Sequence, residues 1–329
     1  MTDQTILFAC GPYDRMLPLS DGRVKPDGLT LTYESIQQPR VMFDRMTRDF
    51  AFDASELSMS EFISMRGAET AGGKPCPFVA LPVFPSKAFR HGFICVSTKA
   101  GIKSPKDLEG KRVGLPLYTQ TAAIFLRGHL AHDYGVDLDK IHWVQGAIEH
   151  AGSHGNPVAP PLLKPVDITI NRSDKSLSQM LSAGEIDATL GSRLPDGIGT
   201  DPNIARLFPN FREIEKDFYR RTRIHPIMHL VAIRKDVHEN NPKVAPALYK
   251  ALCQAKDIAL ADLKFDGAQH TMLPWQYADI EEFESVFGPD PWPYGLEANR
   301  PTLEALMSYM VEQHFIAQPI ALEELFLKV

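Results

Sequence analysis

The sequence predicts a two-lobed α/β protein, and three observations carry that prediction. Short apolar runs alternate with amphipathic stretches along the chain, the pattern of strands layered against helices. The 329 residues exceed one minimal domain and are comfortable for two. Hydrophobic residues make up 44% and charged residues 23%, a globular balance that builds a core without disulfides or a structural metal.

The elements follow in order. Strands are predicted over residues 6–9, 29–33, 78–83, 92–97, 112–115, 187–190 and 229–234, and helices over 41–48, 121–134, 177–183, 244–263 and 302–314. Ser104-Pro105-Lys106-Asp107 puts a cap, a first-turn proline and an acid where each is favoured, and Asn241-Pro242 does the same before Val244. Residues 146–167 hold glycines and prolines without periodicity and read as a loop or flap.

Charge and cysteine usage exclude several functions. The net charge is −6, and the densest basic group (Arg220, Arg221 and Arg223, beside His225) is too short for a nucleic-acid groove. Cys10, Cys76, Cys95 and Cys253 are scattered with no C-x-x-C pair, so they read as free thiols. Met1 to Gln4 lead straight into an apolar strand pattern with no signal-peptide features, and no run approaches membrane-spanning length. A cytoplasmic protein without a membrane partner is expected; a homo-oligomer is left open. No G-x-S-x-G elbow, P-loop, G-x-G-x-x-G turn or H-E-x-x-H pair is present.

Ile102-Lys103-Ser104-Pro105-Lys106-Asp107-Leu108-Glu109-Gly110-Lys111-Arg112-Val113-Gly114 and Leu181-Ser182-Ala183-Gly184-Glu185-Ile186-Asp187-Ala188 resemble two stretches of the periplasmic-binding-protein fold in its two-crossover, type 2 form. Gly110 and Gly184 supply left-handed turns after short helices, each leading into a buried strand. The resemblance implies a discontinuous first lobe of residues 1–97 and 228–329, a second lobe of 98–227, two crossover strands and an interdomain cleft. Gly11-Pro12-Tyr13-Asp14-Arg15, residues 21–28, Phe84-Pro85-Ser86-Lys87-Ala88-Phe89-Arg90-His91, residues 219–229 and Trp292-Pro293-Tyr294 through Arg300 are similar to the 4,5-dihydroxyphthalate decarboxylase family nearly end to end.

Ligands of such sheets bind beyond the carboxyl ends of strands, where these stretches would converge. His91 and His229 each head an expected crossover strand and are the candidate proton donors, with Tyr13 as a further catalytic candidate. Arg90, Arg223 and Arg300 offer forks for carboxylates. Phe84, Phe89, Trp292 and Tyr294 could flank an aromatic ring. Ser58, Ser60, Thr119, Gln120 and Thr121 are expected to donate hydrogen bonds to a bound carboxylate, with helix starts after Ser58 and Thr119 adding N–H groups. Arg15, Ser86, Tyr118, Arg193 and His225 complete the expected substrate-binding set. Glu56 joins it as well, and with His225 and His229 could make a carboxylate–dihistidine metal set. No metal is assigned, although a divalent ion is left open.

The family resemblance implies decarboxylation of an aromatic dicarboxylic acid without an organic cofactor. In 4,5-dihydroxyphthalate each hydroxyl lies para to a carboxylate. Protonation of the carbon bearing the departing carboxylate gives a cation that the para oxygen stabilises, and loss of carbon dioxide restores the ring. His91 or His229 would be the acid, the other histidine or Tyr13 would polarise the hydroxyl, and Arg90 or Arg223 would clamp the retained carboxylate. The competing reading is a solute-binding protein for a small aromatic carboxylate, which would bind the diacid without releasing carbon dioxide.

Overall fold

Alternation in the first strand puts Ile6, Phe8 and Cys10 on one buried face, and that face joins a core completed by residues from both ends of the chain, among them Val231, Ile233 and Leu248. The structure, a computed structural model, describes residues 4–329; Met1, Thr2 and Asp3 lie outside the described residues. The strands in chain order are β1 (Gln4–Cys10), β2 (Leu29–Ser35), β3 (Ala54–Ser58), β4 (Phe78–Lys87), β5 (Cys95–Ser97), β6 (Arg112–Leu115), β7 (His142–Gln145), β8 (Ile168–Ile170), β9 (Ala188–Thr189), β10 (Ile204–Arg206) and β11 (Ile227–Arg234).

The chain divides into two compact units. One takes the chain up to Lys87, His229–Leu303 and Ile320–Val329; the other takes Ala88–Met228 and Glu304–Pro319. The first unit holds a five-stranded sheet in the order β2-β1-β3-β11-β4. Its β1 lies parallel to β2 and β3, while β11 returns antiparallel to β3, with His229 opposite Ser58 and Val231 opposite Glu56. The helix Val244–Lys264 covers this sheet, its Val244, Leu248, Ala251, Leu252 and Ala255 packing with Ile6, Phe8, Val231 and Ile233.

The second unit holds a six-stranded sheet, β10-β5-β9-β6-β7-β8. Its strands β9, β6, β7 and β8 run parallel, as crossover connections require, while β5 pairs antiparallel with β9 and β10 antiparallel with β5. Cys95, Val144, Leu177, Leu181, Ile186 and Ile204 make its core. Gly110 and Gly184 take positive φ of 76° and 80°, and the box of Ser104 with Asp107 is formed. Residues 146–167 contain no helix or strand.

The strand expected over 92–97 begins later. His91–Phe93 form a single 3-10 turn, and Gly92 sits so close to the Phe211 ring that a Cβ would meet it at 2.7 Å. That tight packing bends the chain until β5 starts at Cys95. Among the described residues, no helix is long and apolar enough to cross a membrane.

Candidate functional site

Strand β3 reads Ala-Ser-Glu-Leu-Ser, and all five residues are buried although three are polar. Alternation places Ala54, Glu56 and Ser58 on one face, together with His229, Val231 and Ile233 of the adjacent β11. Ala54, Val231 and Ile233 belong to the apolar core, so the same face turns polar toward its Ser58–His229 end. An uncompensated carboxylate there would cost several kcal/mol.

Glu56, 0% exposed, is compensated on every side. Its Oε2 accepts the Gly11 N–H at 2.9 Å and the Cys10 thiol at 3.4 Å. Its Oε1 accepts the Tyr13 hydroxyl at 2.7 Å and Nδ1 of His229 at 2.5 Å. Four donors fill the acceptor capacity of one carboxylate. Burial pushes its pKa up, but the His229 ring, Tyr13 and Gly11 outweigh that and hold it below the ordinary value. The Tyr13 phenol moves the other way, raised first by burial and then by the Glu56 charge, so it stays protonated as a donor. Gly11 is required sterically, because a Cβ there would stand 2.7 Å from Cε2 of Tyr13.

Glu56 can only accept, so Nδ1 of His229 carries a hydrogen and the proton chemistry of the ring falls to Nε2. That nitrogen has no hydrogen-bond partner among the described residues, and the side chain is 18% exposed. Phe43 holds the ring edge-on at a centroid distance of 4.9 Å. Ser58 lies opposite His229 in the strand pairing, its hydroxyl 3.3 Å from that of Ser60, and it precedes the helix Met59–Thr70 without a side-chain cap bond to it. Arg40 reaches Glu61 at 3.0 Å and Asp44 at 2.9 Å. Burial raises the Glu61 pKa against the lowering influence of Arg40.

Arg15 walls the other side of Tyr13. Its guanidinium lies 4.3 Å from the Tyr13 ring and 4.2 Å from the Trp292 ring, while Nε donates to the Pro85 carbonyl at 2.9 Å. Trp292 in turn donates Nε1 to the Phe84 carbonyl at 2.9 Å. Thus Tyr13, Arg15, Glu56, His229 and Trp292 form one connected group within the first unit. Phe84 is core, and Ser86 is half-buried on β4. Tyr294 buries a hydroxyl that has no hydrogen-bond partner among the described residues, and Arg300 is engaged by Glu297 and Glu323.

The remaining expected residues lie in the second unit. Arg90 donates to the Ser192 carbonyl at 3.1 Å and Gln120 to the Ser192 hydroxyl at 2.8 Å, so these two converge on one residue. Thr119 is half-buried, and Thr121 opens the helix Thr121–Tyr134. Tyr118 is buried beneath Arg127 at 3.7 Å, and Arg193 pairs with Glu149 at 3.0 Å. Arg223 is exposed with a positive φ of 59° at a helix end, and His225 stacks on Phe89 at 4.7 Å.

His91 is 1% exposed and stacks on His129 at 5.3 Å, with Phe208 and Phe218 around it. Among the described residues, neither ring nitrogen of either histidine has a hydrogen-bond partner. Among the described residues, no three His, Cys, Asp or Glu side chains gather to hold a metal ion. Sequence reasoning overlooked Cys10 as a ligand of Glu56, the Arg40–Glu61 pair and the burial of Lys87. Only Lys87 carried a signal, a lone cation inside an otherwise apolar and small-residue run.

Comparison with known proteins adds two relatives, one family model and two solved structures. The chain is 34% identical over 309 residues to the 4,5-dihydroxyphthalate decarboxylase of Comamonas testosteroni, covering 94% of this chain and 92% of that protein. It is 35% identical over 223 residues to the enzyme of the same name from Pseudomonas putida, covering 67% and 83%. The NMT1/THI5 like family model matches residues 88–153. Among solved structures, the periplasmic aliphatic sulphonate binding protein of Escherichia coli aligns with a TM-score of 0.51 at 10% identity, covering 98% of this chain and 97% of that one. The MOPS-bound alkanesulfonate-binding protein of Xanthomonas axonopodis pv. citri gives 0.51 at 10% identity over 100% of both chains. These likenesses establish the periplasmic-binding-protein fold and, from the sulphonate binders, the fold alone.

Proposed function

This chain belongs to the 4,5-dihydroxyphthalate decarboxylase family, and from that premise we propose that it removes one carboxylate from an aromatic dicarboxylic acid, 4,5-dihydroxyphthalate, giving protocatechuate. We assign the proton delivery to His229, oriented by Glu56. The observation that carries this reading is the ring of His229, held through Nδ1 by a fully buried carboxylate while Nε2 is left without a partner.

The chemistry follows from that arrangement. With Nδ1 held by Glu56, the imidazolium would present an Nε2–H as a general acid. Transfer of that proton to the ring carbon bearing the departing carboxylate breaks N–H and forms C–H. The para hydroxyl oxygen spreads the positive charge. The carbon–carboxylate bond then breaks, its electron pair returns to the ring, and carbon dioxide leaves. His229 ends neutral and regains a proton from water. Tyr13 keeps Glu56 ionised and is the proposed neighbour of the para hydroxyl; Arg90 or Arg223 is the proposed clamp for the retained carboxylate. The free thiols at Cys10, Cys76, Cys95 and Cys253 fit a reducing cytoplasm as the place of action.

The test is incubation with the diacid in deuterated water. Release of carbon dioxide with one deuterium on the vacated carbon supports the reaction course. Replacement His229→Asn should lower turnover by about 10² to 10⁴ while keeping much of the affinity. Full turnover in that variant removes His229 from the role. Tight binding by the wild type with no carbon dioxide, with or without divalent metal, would leave a solute binder instead.

A further inference from the structure

Lys87, the last residue of β4, is 5% exposed, and among the described residues no carboxylate comes within ion-pair distance of its amine. Its Nζ donates instead to two neutral acceptors, the Pro293 carbonyl at 3.1 Å and Asn299 Oδ1 at 2.6 Å. Asn299 donates back to the carbonyls of Pro293 and Gly295 at 3.0 and 2.8 Å, and Gly295 N–H reaches the Pro82 carbonyl at 2.8 Å. The end of β4 and residues 292–299 are therefore laced together, with Lys87 as the one charged knot. The laced segment carries Trp292, which covers Arg15, which covers Tyr13, the donor to Glu56.

We propose that Lys87 is a positioning residue of the site: its amine fastens the 292–299 segment and so sets the Trp292–Arg15–Tyr13 stack beside the Glu56–His229 pair. This role rests on the reading that the Glu56–His229 pair is the reaction centre. It also makes the stack sensitive to pH. Burial pushes the Lys87 amine down to about 7; Asp290 supports its charge, while Arg15 and Lys256 oppose it. Asp290 is itself engaged by Lys256. A charged donor makes roughly twice as strong a hydrogen bond as a neutral one. The fastening is thus firm below neutrality and loosens as pH rises through that value.

Fluorine NMR of the full chain labelled with 5-fluorotryptophan reads the stack directly. The protein has three tryptophans, and Trp292→Phe assigns the resonance of interest. In the wild type that resonance should move between pH 6 and 9 with a midpoint near 7. Lys87→Gln, which keeps two N–H donors but cannot titrate, should abolish the movement. Lys87→Met should displace the resonance at every pH. At pH 6, Lys87→Gln should lower kcat/KM about fivefold, the worth of about one hydrogen bond, and the two proteins should converge above pH 8. A Trp292 resonance that titrates unchanged in Lys87→Gln, or that does not move in the wild type, overturns the proposal. The NMR arm needs no turnover. A protein that releases no carbon dioxide yet passes it loses the decarboxylase reading alone.

Discussion

Each unit buries an ionisable centre built around histidine, and the two centres are solved in opposite ways. In the first unit His229 meets a carboxylate, and that carboxylate meets three further donors. In the second unit His91 and His129 stack face to face within an aromatic cage, their ring nitrogens without hydrogen bonds among the described residues, with carboxylates of Glu215 and Asp133 at 3.7 and 3.9 Å. One arrangement fixes a tautomer and holds a proton at a defined atom. In the other, burial holds the His129 ring neutral, stacked flat against His91. The difference sets the histidine we propose for proton delivery, 18% exposed, apart from two that are buried within an aromatic cage.

The strongest way to break this comparison is to exchange charge at one centre and shape at the other. Glu56→Gln keeps the size of the side chain but removes the negative charge that holds Nδ1 of His229. Turnover should drop by at least about 10², comparable to loss of an oriented acid. His91→Phe should leave kcat within about twofold, since a phenyl ring suits the cage formed by Phe208, Phe218 and His129. Steady-state rates of the two variants, checked for folding by circular dichroism, decide the matter. A large loss in His91→Phe with the fold intact would return His91 to the chemistry.

Acid should expose the packing histidines next. Burial, then the neighbouring rings of His91 and His132, pushes the His129 pKa well below its ordinary value. The folded protein therefore holds His129 neutral where the unfolded chain takes up a proton near pH 6.5. Below that pH the unfolded state binds more protons, so stability falls with falling pH, by up to about 1.4 kcal/mol per unit. Urea midpoints at pH 7.5 and 5.0 should differ, and His129→Phe should shrink the difference. An equal difference in that variant would assign the acid sensitivity elsewhere.

What was legible in the chain follows the same division. Helices 121–134 and 177–183, with the glycines at 110 and 184, were readable because period, caps and turn chemistry agree there. Strand β3 was not read as a strand, because Ser55, Glu56 and Ser58 break the apolar pattern that a buried strand ordinarily shows. The polarity that hid the strand is the polarity of the site. His91 and His229 looked equivalent because each precedes an apolar run, and only packing tells them apart. Gly92 against Phe211 turns the chain at His91, whereas His229 lies within regular pairing opposite Ser58. The Cys10 thiol, the Arg40–Glu61 pair and the Lys87 fastening join residues distant in sequence, which no local pattern reports.

The smallest expected effect sharpens the description of Glu56 itself, by ranking its donors. Tyr13→Phe removes an O–H at 2.7 Å from the charged Oε1, and hydrogen bonds to charged groups are worth about 1.5–3 kcal/mol. Cys10→Ala removes a weaker S–H donor at 3.4 Å from Oε2, which the Gly11 N–H still serves at 2.9 Å. Its main cost should be the lost volume of one buried sulfur, about 1 kcal/mol. Turnover should stay within about threefold, because Oε1, the oxygen that orients His229, keeps both of its donors. Urea unfolding and steady-state rates of the two variants, taken together, test the ranking. If Cys10→Ala costs as much turnover as Tyr13→Phe, the two oxygens of Glu56 do not act separately. Orientation of His229 would then depend on the whole donor set and not on the Oε1 side alone.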